Sequence, residues 1–310
     1  MLLNICKDIM MFERKIRYRV EEGLFHSVNQ AMIADIAQWT ISRLLPALMT
    51  LLNRSLERGL AVLDCFRPGT GLLAHSDIAE RTGLPKPTVT RLLETLRQQG
   101  YLVFDEVCKG YRLGVPILSL ARSLHLESEL IETIGPPIAR IARETTSVIG
   151  FGTAHGTDIV YLEAANGDPA RLSRRVGPGM RAPIAATSVG RAYLAGLPVE
   201  ERERVIKSLS AASPYQWRPN TLREIECSVR EVKERGYCLV MWSEGKHPAI
   251  GTPTAVRGGP LHALSIGYVA SNERPHRVPQ QMIEALDELR ACVHRFNAAS
   301  GPKASAVRPA

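Results

Sequence analysis

No stretch of this chain approaches the roughly 18 uninterrupted apolar residues that a membrane-crossing helix requires. Its best candidate, "MIADIAQWTISRLLPALMTLL", is broken by Asp35, Arg43 and Pro46, so no membrane partner is expected. The opening "MLLNICKDIMMFERK" carries charges where a secretory signal keeps its apolar segment, which argues against export. The six cysteines (Cys6, Cys65, Cys108, Cys227, Cys238 and Cys292) lie far apart and form no C-x-x-C pair. A disulfide framework and a zinc knuckle are therefore both excluded, and reduced, buried thiols in a cytoplasm are the expected state. Catalytic signatures are missing as well. There is no nucleophile motif, no H-E-x-x-H, no Walker loop and no G-x-G-x-x-G after a strand. No catalytic residue, metal ligand or cofactor is expected. "EGKH", Glu244 to His247, is one acid/base pair without further ligands and reads as a surface loop.

What is present is an ordinary globular composition. Its 310 residues suggest about two domains. With 45% hydrophobic and 23% charged residues, the chain can bury real cores. A net charge of +8 and a pI near 9.3 favour polyanionic or acidic partners without requiring them.

Residues 1–48 hold a charged cluster, "ERKIRYRVEE", and an apolar segment with Ile33, Ile36, Ala37, Ile41, Leu44 and Leu45 near one helical face. Two readings stand: the segment packs on a neighbour or a second copy, or the natural start is Met49 and the extension is not part of the working protein. From Ser55 the pattern sharpens. "SLERGLAVLDCF" predicts a helix capped by Ser55 with Leu56, Leu60, Leu63 and Phe66 inward. "HSDIAERTG" predicts a short second helix, closed by Gly83. "LPKPTVTRLLETLRQQG" predicts a third, and "YLVFDEVCKGYRLG" a two-stranded ribbon. That order is a winged helix-turn-helix, assigned to residues 49–115.

In the third helix, Val89, Leu92, Leu93 and Leu96 share one stripe, which is expected to pack on Ile78, Ala79 and Leu63. The opposite side presents Lys86, Thr90, Arg91 and Glu94, with Thr88 near the tip. Prolines in the first turn cost little, because the first amides of a helix have no intrahelical partner. Such amides and the helix dipole suit a phosphate. Arg91 can grip a guanine edge or a phosphate, and Thr90 a thymine methyl or a phosphate. Lys109 at the ribbon tip and Arg112 would reach the flanking backbone. Local charge is only weakly positive, so the ordered geometry, not bulk charge, carries the expectation of DNA binding.

Residues 116–134 predict a linker helix that also pairs two chains, and Pro136 and Pro137 are read as starting a further helix. Mixed helices and hairpins argue an α+β domain over 135–299, with a hairpin turning at His155-Gly156-Thr157-Asp158. Residues 300–310 read as a disordered tail. Thr187, Ser188 and Gly190 sit where "APIAATSVGRA" turns from loop to helix, so hydroxyls and unpaired amides converge where a carboxylate would fit.

The chain resembles the IclR family of bacterial transcriptional regulators. The likeness rests on "SLERGLAVLDCF", "DIAERTGLPKPTVTRLLETLRQQGYL", "GYRLG", "VYLEAA", "SRRVGPGMRAPIAATSVGRAYLA", "VKERGY" and "ALSIG", in the family's order from about Asn53 to Asn297. It implies an N-terminal winged helix-turn-helix joined by a linker helix to a GAF-like effector-binding domain. It further implies a homodimer or dimer of dimers, double-stranded operator DNA and a small carboxylate effector as partners, and control of genes for metabolism of a small organic or aromatic acid. Carried over residue by residue, the effector pocket involves Ser188, Val189, Ser265 and Gly267, with Met180 and Met241 or Trp242 as walls. Two departures stand out. Pro87 occupies a position where members often have serine. Gly251 stands where some members carry cysteine, which predicts a more apolar pocket and makes a bulkier or aromatic acid conceivable.

Two rival functions compete with a regulator. One is a small-molecule enzyme whose N-terminal helices merely dimerise, which needs a converging acid, base or nucleophile in the second domain. The other is an adaptor whose winged helix binds protein. DNA binding weakens steeply with salt; an apolar protein interface does not.

Overall fold

The computed structural model describes residues 53–167, 176–212, 217–242, 247–269 and 277–299. The expectations for residues 1–48, for the 300–310 tail and for most of "EGKH" lie outside the described residues.

Helix α1 (Arg54–Asp64) opens the N-terminal domain. Its cap is Asn53, whose Oδ1 accepts the amides of Ser55 and Leu56, both at 3.1 Å. Ser55 is therefore inside the first turn rather than the cap. Leu56 and Leu60, expected inward, are 61% and 55% exposed. They stand one turn apart on a stripe of their own, whereas Val62 and Cys65 carry the buried side. Helix α2 (His75–Thr82) ends at Gly83, whose φ of 65° is the left-handed conformation expected there. Helix α3 (Lys86–Gln98) packs its stripe as predicted: Val89, Leu93 and Ile78 are fully buried, with Leu63, Ala79, Leu92 and Leu96 around them. Each such buried aliphatic contributes about 1.5–3 kcal/mol relative to exposure. Strands β1 (Leu102–Asp105) and β2 (Gly110–Leu113) form the ribbon, with Asp105 opposite Gly110. A bridge between Leu73 and Tyr111 stitches the ribbon to the segment before α2.

Helix α4 (Pro116–Leu126) is followed directly by α5 (Glu129–Thr145). The break falls at Ser128, whose Oγ accepts the Ile131 amide at 3.3 Å, and not at the prolines. Pro136 and Pro137 lie inside α5, which corrects the expected boundary. The overlooked signal was Ser128 followed by Glu129 and Glu132, a cap with acidic residues in the first turn.

The second domain is built on a six-stranded sheet in the order β5-β4-β3-β8-β7-β6, with every pair antiparallel. Its strands are β3 (Val148–His155), β4 (Asp158–Asn166), β5 (Arg181–Pro183), β6 (Cys238–Trp242), β7 (His247–Ala255) and β8 (Leu261–Gly267). The β3–β4 hairpin turns at Gly156-Thr157, as the sequence predicts. Strand alternation sends Ile149, Phe151, Ile250, Leu264 and Ile266 to one face, where α5 and α9 (Gln280–Ala299) cover them. Ala263, Cys238 and Val240 go to the other face, under α6 (Ser188–Gly196) and α8 (Thr221–Arg235). A further helix, α7 (Val199–Ala212), adds Leu209 to this second core. The fold is α+β, with helices on both faces of one antiparallel sheet.

Candidate DNA interface and effector loop

Lys86, Thr90 and Arg91 are exposed on α3, opposite the buried Val89 and Leu93, and Thr88 is half-buried. The first turn is poorer in free amides than expected. Pro85 and Pro87 have none, and the Thr88 and Val89 amides both bond the Pro85 carbonyl, at 2.9 and 3.1 Å. Only the Lys86 amide is left to turn outward, so side chains must do most of the binding. Glu94, the nearest carboxylate along α3, is taken by Arg97 and Gln98 at 2.8 and 2.9 Å and does not neutralise Arg91. Those bonds hold its carboxyl below the usual range. Thr90 Oγ1 lies 3.0 Å from the Lys86 carbonyl and 3.0 Å from His75 Nε2, a partner that sequence reasoning missed.

In the ribbon, Asp105 Oδ1 accepts the amides of Val107 and Cys108, which sets the turn. Lys109 sits at the tip with φ 50° and pairs with Glu106 at 3.1 Å. Arg112 stands 3.8 Å from Asp105. An exposed ion pair of this kind is worth about 0–1 kcal/mol, so a phosphate can replace Glu106 as the partner of Lys109.

At the loop proposed from the sequence to hold an effector, Thr187 caps α6. Its Oγ1 donates to the Pro183 carbonyl at 2.7 Å and accepts the Gly190 amide at 3.3 Å. The Ser188 and Val189 amides of the same turn lie ahead of the first intrahelical bond. Ser188 and Val189 are buried, and Gly190 is pressed against Ile184 so closely that a Cβ would sit 2.2 Å from its carbonyl oxygen. Beneath the loop runs a row of small residues in register, Gly150, Ser265 and Gly251. The Tyr161 ring lies on Gly150, and the Ser188 carbonyl lies on Gly251, 2.3 Å from where a Cβ would be. Cys238, opposite Gly251, donates its thiol to that same carbonyl at 3.6 Å. Burial pushes the Cys238 thiol up to about 12, so it stays protonated and able to donate.

The place of a side chain at Gly251 is taken by the Ser188 carbonyl. One expectation is corrected by this geometry. Met241 alternates with Cys238 and Val240 and so falls with Tyr237 and Leu239 on the sheet's other face. Gly267 shares the Ser265 face one step along β8, and Met180 enters through its carbonyl, which accepts the Tyr161 amide at 2.9 Å. The Trp242 side chain lies outside the described residues. A cleft of about 380 Å³ opens elsewhere, lined by Arg191, Glu224, Cys227, Glu231 and Leu239 among others, none of them predicted.

A set of charges also joins the end of α1 to β5. Arg181 donates to Asp64 at 2.8 Å, and its other nitrogen stands 4.0 Å from Asp158. His155 lies 3.3 Å from Asp64. Arg67 approaches the Asp158 carboxylate to 2.9 Å as an ion pair without hydrogen-bond geometry, and that carboxylate is 2% exposed. Burial pushes the Asp64 carboxyl up, but the bonds from Arg181 and His155 outweigh it and leave it below its ordinary value.

Among the described residues, no group of three or more His, Cys, Asp or Glu is placed to hold a metal ion, and no helix is long and apolar enough to cross a membrane. The IclR helix-turn-helix domain model matches residues 55–106, and that of the bacterial transcriptional regulator IclR C-terminal domain matches residues 123–293. The HTH-type transcriptional regulator TsaQ1/TsaQ2 of Comamonas testosteroni is 32% identical over 255 residues, covering 77% of this chain and 90% of that protein. The crystal structure of an IclR family transcriptional regulator from Brucella abortus superposes with a TM-score of 0.69 at 27% identity, over 80% of this chain and 93% of that one. An IclR homolog from Microbacterium hydrocarbonoxydans, solved with 4-hydroxybenzoate, has a TM-score of 0.60 at 20% identity, over 79% and 100%; that likeness shows the fold alone.

Proposed function

Because the chain belongs to the IclR family and is a ligand-responsive DNA-binding transcriptional regulator, not an enzyme, we propose that it answers to an organic acid held at the start of α6. The observation that supports this is the seating of the Thr187–Gly190 turn on Gly251, the register partner of Ser265. The Ser188 and Val189 amides precede the first intrahelical bond, and the helix dipole favours a carboxylate there. Thr187, Ser188 and Gly190 hold the turn, and Ser265 and Gly267 would line the same sheet face beside it. The charge cluster supports a route outward. The loop is bonded at Pro183, two residues from Arg181, and Arg181 grips Asp64 at the end of α1.

The test is calorimetry of the full chain with a panel of acids, from the smallest oxoacids to 4-hydroxybenzoate, followed by operator binding with and without any acid that binds. An acid at a hundred times its Kd should stabilise the chain by about 2.7 kcal/mol, read as a rise in Tm. Binding by none of the panel would count against an acid effector, and binding by the oxoacids alone would remove aromatic acids. In Arg181→Gln the same acid should bind with unchanged affinity but no longer alter operator affinity. An unchanged DNA response in that variant would exclude Arg181 from the route.

A homodimer is the second part of the proposal. Helix α4 has no buried residue, and Leu118, Leu120, Leu124 and Leu126 are 71%, 58%, 61% and 56% exposed. Leu120 and Leu124 share one side of the helix and Leu118 and Leu126 another, and exposed leucines on both sides suit burial against a second copy. Two recognition helices would then enter major grooves about 34 Å apart on a near-palindromic operator. Sedimentation should show a dimer for the full chain and a monomer for Leu118→Glu/Leu124→Glu. A monomeric parent chain would refute this.

A further inference from the structure

We propose that His75 is a specificity-determining residue that turns Thr90 from a polar reader of DNA into an apolar one. The inference rests on the reading of α3 as the recognition helix. Thr90 has one hydroxyl proton and two neighbours, the Lys86 carbonyl and His75 Nε2, each at 3.0 Å. A carbonyl oxygen can only accept, so the proton goes to Lys86. His75 must then donate through Nε2–H to the Thr90 oxygen. Both ends of the hydroxyl that could orient it toward DNA are thereby engaged. Phosphate oxygens are acceptors and have nothing to donate to the lone pair that remains.

Only an adenine or cytosine amino group could use that lone pair; against a phosphate or a thymine edge, the part of Thr90 still available is its Cγ2 methyl. Thr90 is exposed on the side of α3 that also carries Lys86 and Arg91. A methyl on that side matches the thymine C5-methyl, the one apolar group that the major groove displays. His75 is placed for this by α2. It is the first residue of that helix, and Asp77 Oδ2 anchors the turn by accepting the Ala74 amide at 3.0 Å. One helix of the motif thus sets what the other can read.

The experiment selects operators for the full chain from a random duplex pool, then replaces each thymine by uracil, which removes only the methyl. The parent chain and Thr90→Val should both lose about three- to fivefold in affinity at one thymine per half-site, the worth of one buried methyl group. Thr90→Ser should be weaker by the same factor and indifferent to uracil there. His75→Ala should bind the operator with that discrimination reduced below about twofold, and His75→Gln, with an amide N–H in place of Nε2–H, should restore it. Thr90 is exposed and His75 half-buried, so the Thr90 variants should keep the parent Tm and the His75 variants a Tm close to it, which is measured alongside. The proposal is overturned if Thr90→Val loses the sequence preference, because the hydroxyl would then be reading DNA, or if no thymine in the site is sensitive to uracil. A parent chain that selects no operator would instead fail the recognition-helix reading, and this proposal with it.

Discussion

Arg91→Ala is expected to lower affinity for the selected operator by about 1–3 kcal/mol while leaving binding to scrambled duplex nearly unchanged. Arg91 is exposed on α3, and the nearest carboxylate on that helix, Glu94, is already bonded to Arg97 and Gln98. Its guanidinium is therefore available to fork onto a guanine edge, where two parallel bonds discriminate against other bases. Lys109→Ala provides the contrast. A lysine at the ribbon tip would meet backbone phosphate, so its loss should weaken all sequences alike and reduce the salt slope by about 1. Titrations on operator and scrambled duplex at two salt concentrations separate these outcomes. If Arg91→Ala keeps the full sequence preference and only flattens the salt dependence, Arg91 contacts phosphate and the base reading lies elsewhere on α3.

Gly251→Ala should destabilise the chain by about 1–3 kcal/mol, the usual cost of forcing an extra group into a packed site. The added Cβ would stand 2.3 Å from the Ser188 carbonyl oxygen and 2.7 Å from its carbon, and both are backbone atoms. To make room, the start of α6 must lift from β7, and the bond from Cys238 to the same carbonyl must stretch. Acid binding at the α6 turn should weaken in parallel. Gly267→Ala is the control, because its nearest neighbours to a Cβ lie at 3.9 Å. Chemical denaturation of the two variants beside the parent reads the difference. Equal stabilities would mean that the effector loop yields freely, and the loop could no longer be called seated on Gly251.

These two expectations differ in where they could have been found. The apolar stripe Val89, Leu92, Leu93 and Leu96, with polar and basic residues opposite, is legible at a glance, because a helix of 3.6 residues per turn imposes its own spacing. So is the stop at Gly83, and so is the Gly156-Thr157 turn, since each depends on a few adjacent residues. The Thr187 cap is legible for the same reason. Local signals also misled where two of them competed. Asn53 and Ser55 both suit a cap, and Asn53 holds it. Pro136 and Pro137 suggested a helix start, but Ser128 supplied the better N-terminus and the prolines were carried within α5.

The rest depends on neighbours that the chain order does not reveal. Leu56 and Leu60 satisfy a helical spacing as well as Val62 does, and only the packed domain shows which stripe it buries. Met241 and Gly251 belong to faces assigned by strand pairing, and a shift of one residue would exchange those faces. Asp64 meets Arg181 across 117 residues, and His75 meets Thr90 across 15. What the sequence carries alone is the order of elements, the two-sided α3 and the capped start of α6, because backbone geometry and capping act within one or two turns. Tertiary structure alone decided which side chains meet, since a hydrogen bond or a steric overlap is settled over a few ångströms of space, whatever the distance along the chain.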